Sequence, residues 1–168
     1  MAEERRAIYT AEAHVKGGRA EGHGRSSDGA LEVDLRLPEE MGGHGGGTNP
    51  EELFAVGYAA CFESALGTVA RRRRQEGGDV AIDSEVTLLP TSDRRFKLAV
   101  TLAVTLPSIA DADEAVDVVR EADQLCPYSN AIRGNVDVSI TANGRPASET
   151  AERQAALARG ESGSAAAG

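Results

Sequence analysis

The segment from Leu53 to Ala70 constrains the fold most, because it is apolar on almost every side. Asn49, Pro50 and Glu52 precede it in the order typical of a helix start: a capping side chain, a first-turn proline and a later carboxylate. The run Arg71–Arg74 then places cations at the negative end of the helix dipole. A helix without a polar face belongs inside a protein or at a subunit interface. We therefore predict a long helix that the rest of the chain or a second copy buries.

Alternating apolar and polar residues predict strands on both sides of this helix, and a second helix follows the last long strand. The order is strands, buried helix, two strands, helix and strand, which favours an α+β fold over alternating βαβ units. The predicted strands are residues 8–15, 31–37, 80–89, 96–106 and 136–141, the second helix starts near Ser108 and Asp111 and ends at Cys126, and residues 17–29 are predicted as turns.

Composition removes several classes of function. A net charge of -9 argues against binding a phosphate backbone, and an aromatic content of 4% without tryptophan argues against base stacking. The run Arg71–Arg74 is therefore interpreted as a solvated helix end rather than a nucleic-acid patch. No apolar run approaches the about 20 residues of a membrane span, and no apolar segment follows the first residues as in a secretory signal. We expect a cytoplasmic protein that binds neither nucleic acid nor membrane.

The length of 168 residues favours one domain, which we place at residues 1–146. Residues 147–168 are rich in Ala, Glu, Arg, Gly and Ser, and we predict a disordered or loosely helical tail there.

Two cysteines, Cys61 and Cys126, need an explanation in a chain with no sign of secretion. Cys61 lies within the apolar helix, and Cys126 ends the second helix on its inner side. Free cysteines are often small core residues, so burial alone explains both of them. The other interpretation is a redox centre, for which the two thiols must meet and a cation must favour thiolate. Spacing in the sequence does not decide between the two.

Arg19 is the candidate cation, because it lies in a glycine-rich turn that can approach a site closely, and Glu51 is its candidate partner. Glu51 and Cys61 are ten positions apart, which is about 15 Å along a straight helix. They share a site only if the helix bends at Gly57, if Arg19 bridges them, or if a second subunit completes the site.

Other catalytic centres lack their partners in this sequence. The stretch His44–Gly47 matches the oxyanion loop of some esterases, but no Gly-x-Ser-x-Gly elbow accompanies it, and no phosphate-binding Gly-Lys-Ser/Thr follows it. The histidines and cysteines have no metal-ligand spacing, so no metal site is predicted.

Four separated stretches together resemble the organic hydroperoxide resistance (Ohr) branch of the OsmC/Ohr superfamily. They are residues 17–19 (GGR), 26–31 (SSDGAL), 45–62 (GGGTNPEELFAVGYAACF) and 126–138 (CPYSNAIRGNVDV). The resemblance covers about residues 7–144 and implies antiparallel sheets around a central buried helix in an interwound homodimer, with its sites at the interface.

The resemblance also implies a thiol peroxidase that reduces organic hydroperoxides. Cys61 matches the peroxidatic cysteine and Cys126 the resolving one, and Arg19 and Glu51 match the pair that activates the thiolate. The family has no metal or prosthetic cofactor, and its reductant is a lipoylated protein or dihydrolipoamide. The aromatic residues near Cys61 are candidates for an apolar substrate pocket; they are Phe54, Tyr58 and Phe62.

Two rival functions stay open from the sequence. One is a thiol redox sensor, which reacts once and does not turn over. The other is a non-enzymatic dimer that binds a ligand in the same apolar cleft, and its activity would not depend on Cys61.

Overall fold

The structure is a computed structural model, and it describes residues 6–75 and 78–160. The chain divides into two compact units, Met1–Leu53 and Phe54–Gly168, and the boundary falls in the first turn of the long helix. The expected single domain over residues 1–146 stays a prediction.

The first unit contains a three-stranded antiparallel sheet in the order β1–β2–β3. The elements are β1 (Ala13–Lys16), a one-turn helix α1 (Gly18–Glu21), β2 (Gly22–Ser26), β3 (Glu32–Arg36) and a 3-10 turn (Glu39–Met41). The structure confirms the strand that the alternating residues 31–37 predict, as β3. Strand β2 lies where turns were expected, because ladders to strands on both sides outweigh the low strand preference of its glycines.

The predicted long helix is α2 (Pro50–Arg73). The Asn49 side chain accepts a hydrogen bond from the Glu52 backbone N–H at 2.9 Å, which confirms the N-cap. The Glu52 carboxylate accepts from the Thr48 hydroxyl at 2.7 Å instead of reaching back to Asn49.

Within a single chain, helix α2 is buried along one side only. One stripe is buried, formed by Tyr58, Phe62, Ala65, Leu66 and Val69. Val56, by contrast, is 72% exposed. A helix that is apolar on all sides cannot be covered fully by a single packing surface, so the remaining apolar faces are open in this chain.

By length and composition alone, α2 could also cross a membrane. The expectation that no apolar run reaches that length is therefore wrong as a statement about length. The core helix of a soluble protein can have the same length and composition, and one side of α2 belongs to the core.

The second unit contains a four-stranded sheet in the order β4–β5–β6–β7, formed by β4 (Ala81–Pro90), β5 (Phe96–Thr105), β6 (Asp137–Ala142) and β7 (Arg145–Pro146). Strands β4 and β5 are antiparallel, but β5 and β6 are parallel. The expectation of purely antiparallel sheets is therefore wrong for this pair. Parallel neighbours need a long crossover, and helices α3 (Ala112–Leu125) and α4 (Pro127–Ile132) supply it.

The inner faces of α2, α3 and the sheet form one core. Asp111 caps α3 by accepting from the backbone N–H groups of Asp113 and Glu114, as its position predicts. The alternating residues of β5 are buried as expected, with Val100, Leu102 and Val104 all below 3% exposure. Cys126 lies in the same core with no exposed surface.

The predicted disordered tail is partly a helix, α5 (Glu149–Ala158). Its N-cap, Ser148, accepts from the Ala151 N–H at 3.2 Å and from the Ile140 N–H of β6 at 2.9 Å. These bonds, with the buried Ala151, fasten the helix to the sheet. Of the two alternatives expected for the tail, the structure shows the helical one over residues 149–158, and residues 161–168 lie outside the described residues.

Candidate functional site

Arg19 and Glu51 form an ion pair in the first unit. Arg19 Nη2 donates to Glu51 Oε1 at 2.7 Å, and the two side chains are 38% and 16% exposed. Arg19 lies on α1, and Glu51 lies in the first turn of α2, where the helix dipole favours a carboxylate. The predicted pairing is thus present.

The backbone around this pair depends on close contact with β3. Thr48 donates its N–H to Asp34 and accepts from the N–H of Arg36, both at 2.9 Å. A Cβ at Gly47 would lie 2.6 Å from the Asp34 carbonyl oxygen, so only glycine fits this approach. The strand therefore fixes where α2 begins and where Glu51 points.

Cys61 and Cys126 come together in the second unit. Cys61 lies on α2 and is partly exposed, whereas Cys126 is buried between the end of α3 and the start of α4. Both are free thiols. Cys61 packs against the core cluster that contains Cys126, and the Cys126 thiol contributes to the raised pKa of Cys61, so the two cysteines are neighbours.

Burial is the main cause of a raised pKa at Cys61. The backbone N–H of Tyr128 acts in the opposite direction by hydrogen bonding to the sulfur, and the Cys126 thiol adds to the increase. These neighbours therefore hold Cys61 in its protonated form, and a reactive thiolate needs a positive charge in addition to them.

Four aromatic rings gather beside the cysteines. The Phe54 ring lies 5.9 Å from both Tyr58 and Tyr128, and Tyr58 lies 6.4 Å from Phe62. Of the three predicted substrate contacts, Tyr58 and Phe62 have no exposed surface and belong to the core, while Phe54 is partly buried. Tyr128, at 40% exposure, is a ring that the sequence did not single out.

Residues after Cys126 also bind to α2. The hydroxyl groups of Tyr58 and Ser129 hydrogen-bond at 2.8 Å, and both residues are buried. A Cβ at Gly57 would lie 3.3 Å from the Tyr128 hydroxyl, so Tyr128 packs against the helix there. Tyr128 and Ser129 lie in the CPYSN stretch that the sequence analysis identified, but their spacing in the sequence does not predict contact with α2.

Helix α2 runs from Pro50 to Arg73 without interruption at Gly57. Within residues 6–75 and 78–160, no group of three or more His, Cys, Asp or Glu side chains could hold a metal ion.

Comparison with known proteins agrees with the predicted resemblance. The model of the OsmC-like protein family matches residues 43–141. The organic hydroperoxide resistance protein of Xanthomonas axonopodis pv. citri (strain 306) is 47% identical over 145 residues, which are 84% of this chain and 99% of that protein. OhrB of Bacillus subtilis (strain 168) is 45% identical over 135 residues, covering 80% and 97%.

Solved structures agree as well. The organic hydroperoxide resistance protein of Legionella pneumophila has a TM-score of 0.77 at 49% identity, covering 81% of this chain and 98% of that one. A Vibrio cholerae protein described as a putative organic hydroperoxide resistance protein, with captopril in one of its active sites, has a TM-score of 0.80 at 40% identity, covering 86% and 98%. The chain thus belongs to the organic hydroperoxide resistance proteins of the OsmC/Ohr superfamily.

Proposed function

We propose that this chain is a thiol-dependent peroxidase that reduces organic hydroperoxides to alcohols. The Cys61 thiolate attacks the distal peroxide oxygen, the O–O bond breaks, and the alkoxide leaves as an alcohol after taking up a proton. Cys61 becomes a sulfenic acid. The Cys126 thiol then attacks that sulfur, forming the Cys61–Cys126 disulfide and releasing water. A dithiol reduces the disulfide by two exchanges and itself becomes a disulfide.

The placement of two free thiols in one core, with Cys61 packed against the cluster that contains Cys126, carries this proposal. A partly exposed cysteine can reach a peroxide that arrives from solvent, and the buried cysteine can act as the resolving thiol in the core. Core packing alone explains a buried cysteine but gives no reason for a second thiol against it.

Arg19 supplies the positive charge in this mechanism, and Glu51 orients it. The neighbours of Cys61 favour the thiol form, so a guanidinium near the sulfur lowers its pKa and stabilises negative charge on the reacting oxygens. The 2.7 Å ion pair supports a fixed orientation for Arg19.

The organic part of the substrate is expected to contact the accessible aromatic surface. Phe54 and Tyr128 pack together and present that surface, while Tyr58 and Phe62 support them from the core. This apolar surface favours alkyl and fatty-acid hydroperoxides over hydrogen peroxide. Equal second-order rate constants for cumene hydroperoxide and hydrogen peroxide would contradict the preference.

A homodimer is part of the proposal, because α2 keeps apolar surface, including Val56, that this chain leaves open. The compartment we propose is the cytoplasm, where free thiols persist. The reductant we propose is a lipoyl dithiol, either dihydrolipoamide or a lipoylated protein, with no metal or prosthetic group.

The test follows consumption of cumene hydroperoxide with excess dihydrolipoamide. We expect continuous turnover by the wild type, complete loss in Cys61→Ser, and a single reduction followed by a stalled disulfide step in Cys126→Ser. One equivalent of peroxide consumed per wild-type chain would indicate a redox sensor. No consumption of peroxide by the wild type or by Cys61→Ser would indicate a non-enzymatic ligand-binding protein.

A further inference from the structure

The buried hydroxyl pair of Tyr58 and Ser129 connects the same two parts of the chain as the two thiols. The oxygen atoms are 2.8 Å apart, and the residues are 0% and 3% exposed. Tyr58 lies on α2 three positions before Cys61, and Ser129 lies on α4 three positions after Cys126. Residues three apart lie on one side of a helix, so the hydroxyl pair is one turn away from the thiols on α2.

The pair has the properties of a permanent link. Burial raises the pKa of Tyr58 to about 12, so the phenol keeps its proton at any physiological pH. Either hydroxyl can donate, and water does not compete because both are buried. A hydrogen bond is strengthened in such a low-dielectric interior, and breaking it leaves a buried polar group without a partner.

Two other side-chain hydrogen bonds beside Cys126 join this part of the chain to α3. The Asn130 amide donates to the Gln124 carbonyl at 3.0 Å, and Arg133 pairs with the Asp123 carboxylate at 2.9 Å. These bonds keep Cys126 in place at the α3–α4 junction. They do not connect that junction to α2, whereas the Tyr58–Ser129 bond does.

We propose that Tyr58 and Ser129 are positioning residues for disulfide formation between Cys61 and Cys126. This inference rests on the peroxidase function proposed above. In that step the Cys126 sulfur attacks the sulfenic sulfur, the S–S bond forms, the S–O bond breaks, and the oxygen leaves as water. Cys126 is oxidised and the sulfenic sulfur is reduced.

The step needs the two sulfur-bearing segments at the narrow separation that a disulfide permits. When the hydroxyl link is removed, α2 and α4 sample wider separations, and the sulfenic acid lasts longer. A second hydroperoxide molecule then oxidises it to a sulfinic acid, which no dithiol reverses. The hydroxyl pair thus protects the enzyme from inactivation by its own substrate.

The test uses Ser129→Ala, Tyr58→Phe and the double variant, each mixed with one equivalent of cumene hydroperoxide, and in a second series with an excess, and quenched at millisecond intervals. Mass spectrometry counts sulfenic acid (trapped with dimedone), disulfide and sulfinic acid. Ser139→Ala is the matched control, because Ser139 is also buried and bonds one side chain, Gln154, at 2.8 Å. Urea unfolding verifies that each variant is folded in the assay.

We expect disulfide formation to slow on the order of tenfold in each single variant, and no further in the double variant. Sulfenic acid formation should slow less, and sulfinic acid should accumulate under excess peroxide. Ser139→Ala should form its disulfide at the wild-type rate. Wild-type rates of disulfide formation in Ser129→Ala and Tyr58→Phe would overturn the inference, as would equal slowing of both steps, which indicates general loss of structure.

Failure of the proposed function has a different signature. A wild-type protein that consumes peroxide without forming the Cys61–Cys126 disulfide would overturn the resolving step and this inference with it. A wild type that forms the disulfide, with variants that do so equally fast, leaves the peroxidase intact and overturns this inference alone.

Discussion

Arg19 Nη2 lies 2.7 Å from Glu51 Oε1, so the only turn of α1 is joined to the first turn of α2. Gly17, with φ of 79°, makes the sharp entry into α1. The pair is partly buried, so its charges are screened less than those of an exposed surface pair. Glu51 therefore restricts the positions that the Arg19 guanidinium can occupy.

Removing this guanidinium is expected to impair peroxide reduction more than removing its partner's charge. Arg19→Ala should lower the second-order rate constant of Cys61 oxidation on the order of 100-fold, because stabilisation of the reacting oxygens is lost. Glu51→Gln should lower it about tenfold, because Arg19 remains but is oriented less firmly. Stopped-flow consumption of cumene hydroperoxide measures both. Arg25→Ala is the control, since Arg25 is 60% exposed. Equal losses in all three variants would contradict the assigned roles.

The pH dependence of Cys61 alkylation reports the same charge. Burial raises the Cys61 pKa, and the thiolate is the form that iodoacetamide attacks, so the rate rises with pH through that pKa. In a Cys126→Ser background, adding Arg19→Ala should move the midpoint to higher pH. The expected midpoint then lies above the about 8.5 of an ordinary thiol. Identical midpoints with and without Arg19 would show that Arg19 does not act on Cys61.

Gly57 and Gly67 allow a matched test of Tyr128. Both lie inside α2, where alanine stabilises a helix by about 0.5–1 kcal/mol relative to glycine. A Cβ at Gly57 meets the Tyr128 ring at 3.3–3.7 Å, whereas at Gly67 it meets only the flexible end of Arg71 at 3.5 Å. Both alanine variants should unfold at a higher urea concentration than the wild type. Only Gly57→Ala should shift Tyr128 and lower the rate of Cys61 alkylation. Equal alkylation rates in the two would contradict the contact's role.

Hydrophobic periodicity correctly predicted the strands and helices that bury one face and expose the other. Strand β5, with alternating buried residues, and helix α3, with Asp111 at its N-cap, are examples. Strand β2 was missed because its glycine-rich sequence has little strand preference, and pairing with β1 and β3 determines its conformation. The parallel pairing of β5 and β6 was missed because side-chain alternation is the same in both orientations.

Sequence motifs predicted the reactive and charged residues of the site. They did not predict which aromatic residues on α2 face the site and which face the core. Cys61, Cys126, Arg19 and Glu51 were candidates from their sequence context, and the resemblance gave each a role; the structure places the cysteines together and pairs the charged residues. Phe62 follows Cys61 directly but points about 100° away around the helix, into the core. Neighbours in sequence are therefore poor guides to a pocket on a helix.

The Ser148 hydroxyl is expected to be important for stability at the end of the second unit. It accepts from the buried Ile140 N–H at 2.9 Å, donates to the Val138 carbonyl at 3.1 Å and caps α5. Ser148→Ala removes the cap and leaves the Ile140 N–H without its partner, so we expect a loss of about 2 kcal/mol in the free energy of unfolding. Urea denaturation measures the loss, and the exposed Ser27→Ala is the control, expected within about 0.5 kcal/mol of the wild type. A Ser148→Ala protein as stable as Ser27→Ala would show that water replaces the hydroxyl at the sheet edge, and that α5 is not fastened to β6 through this side chain.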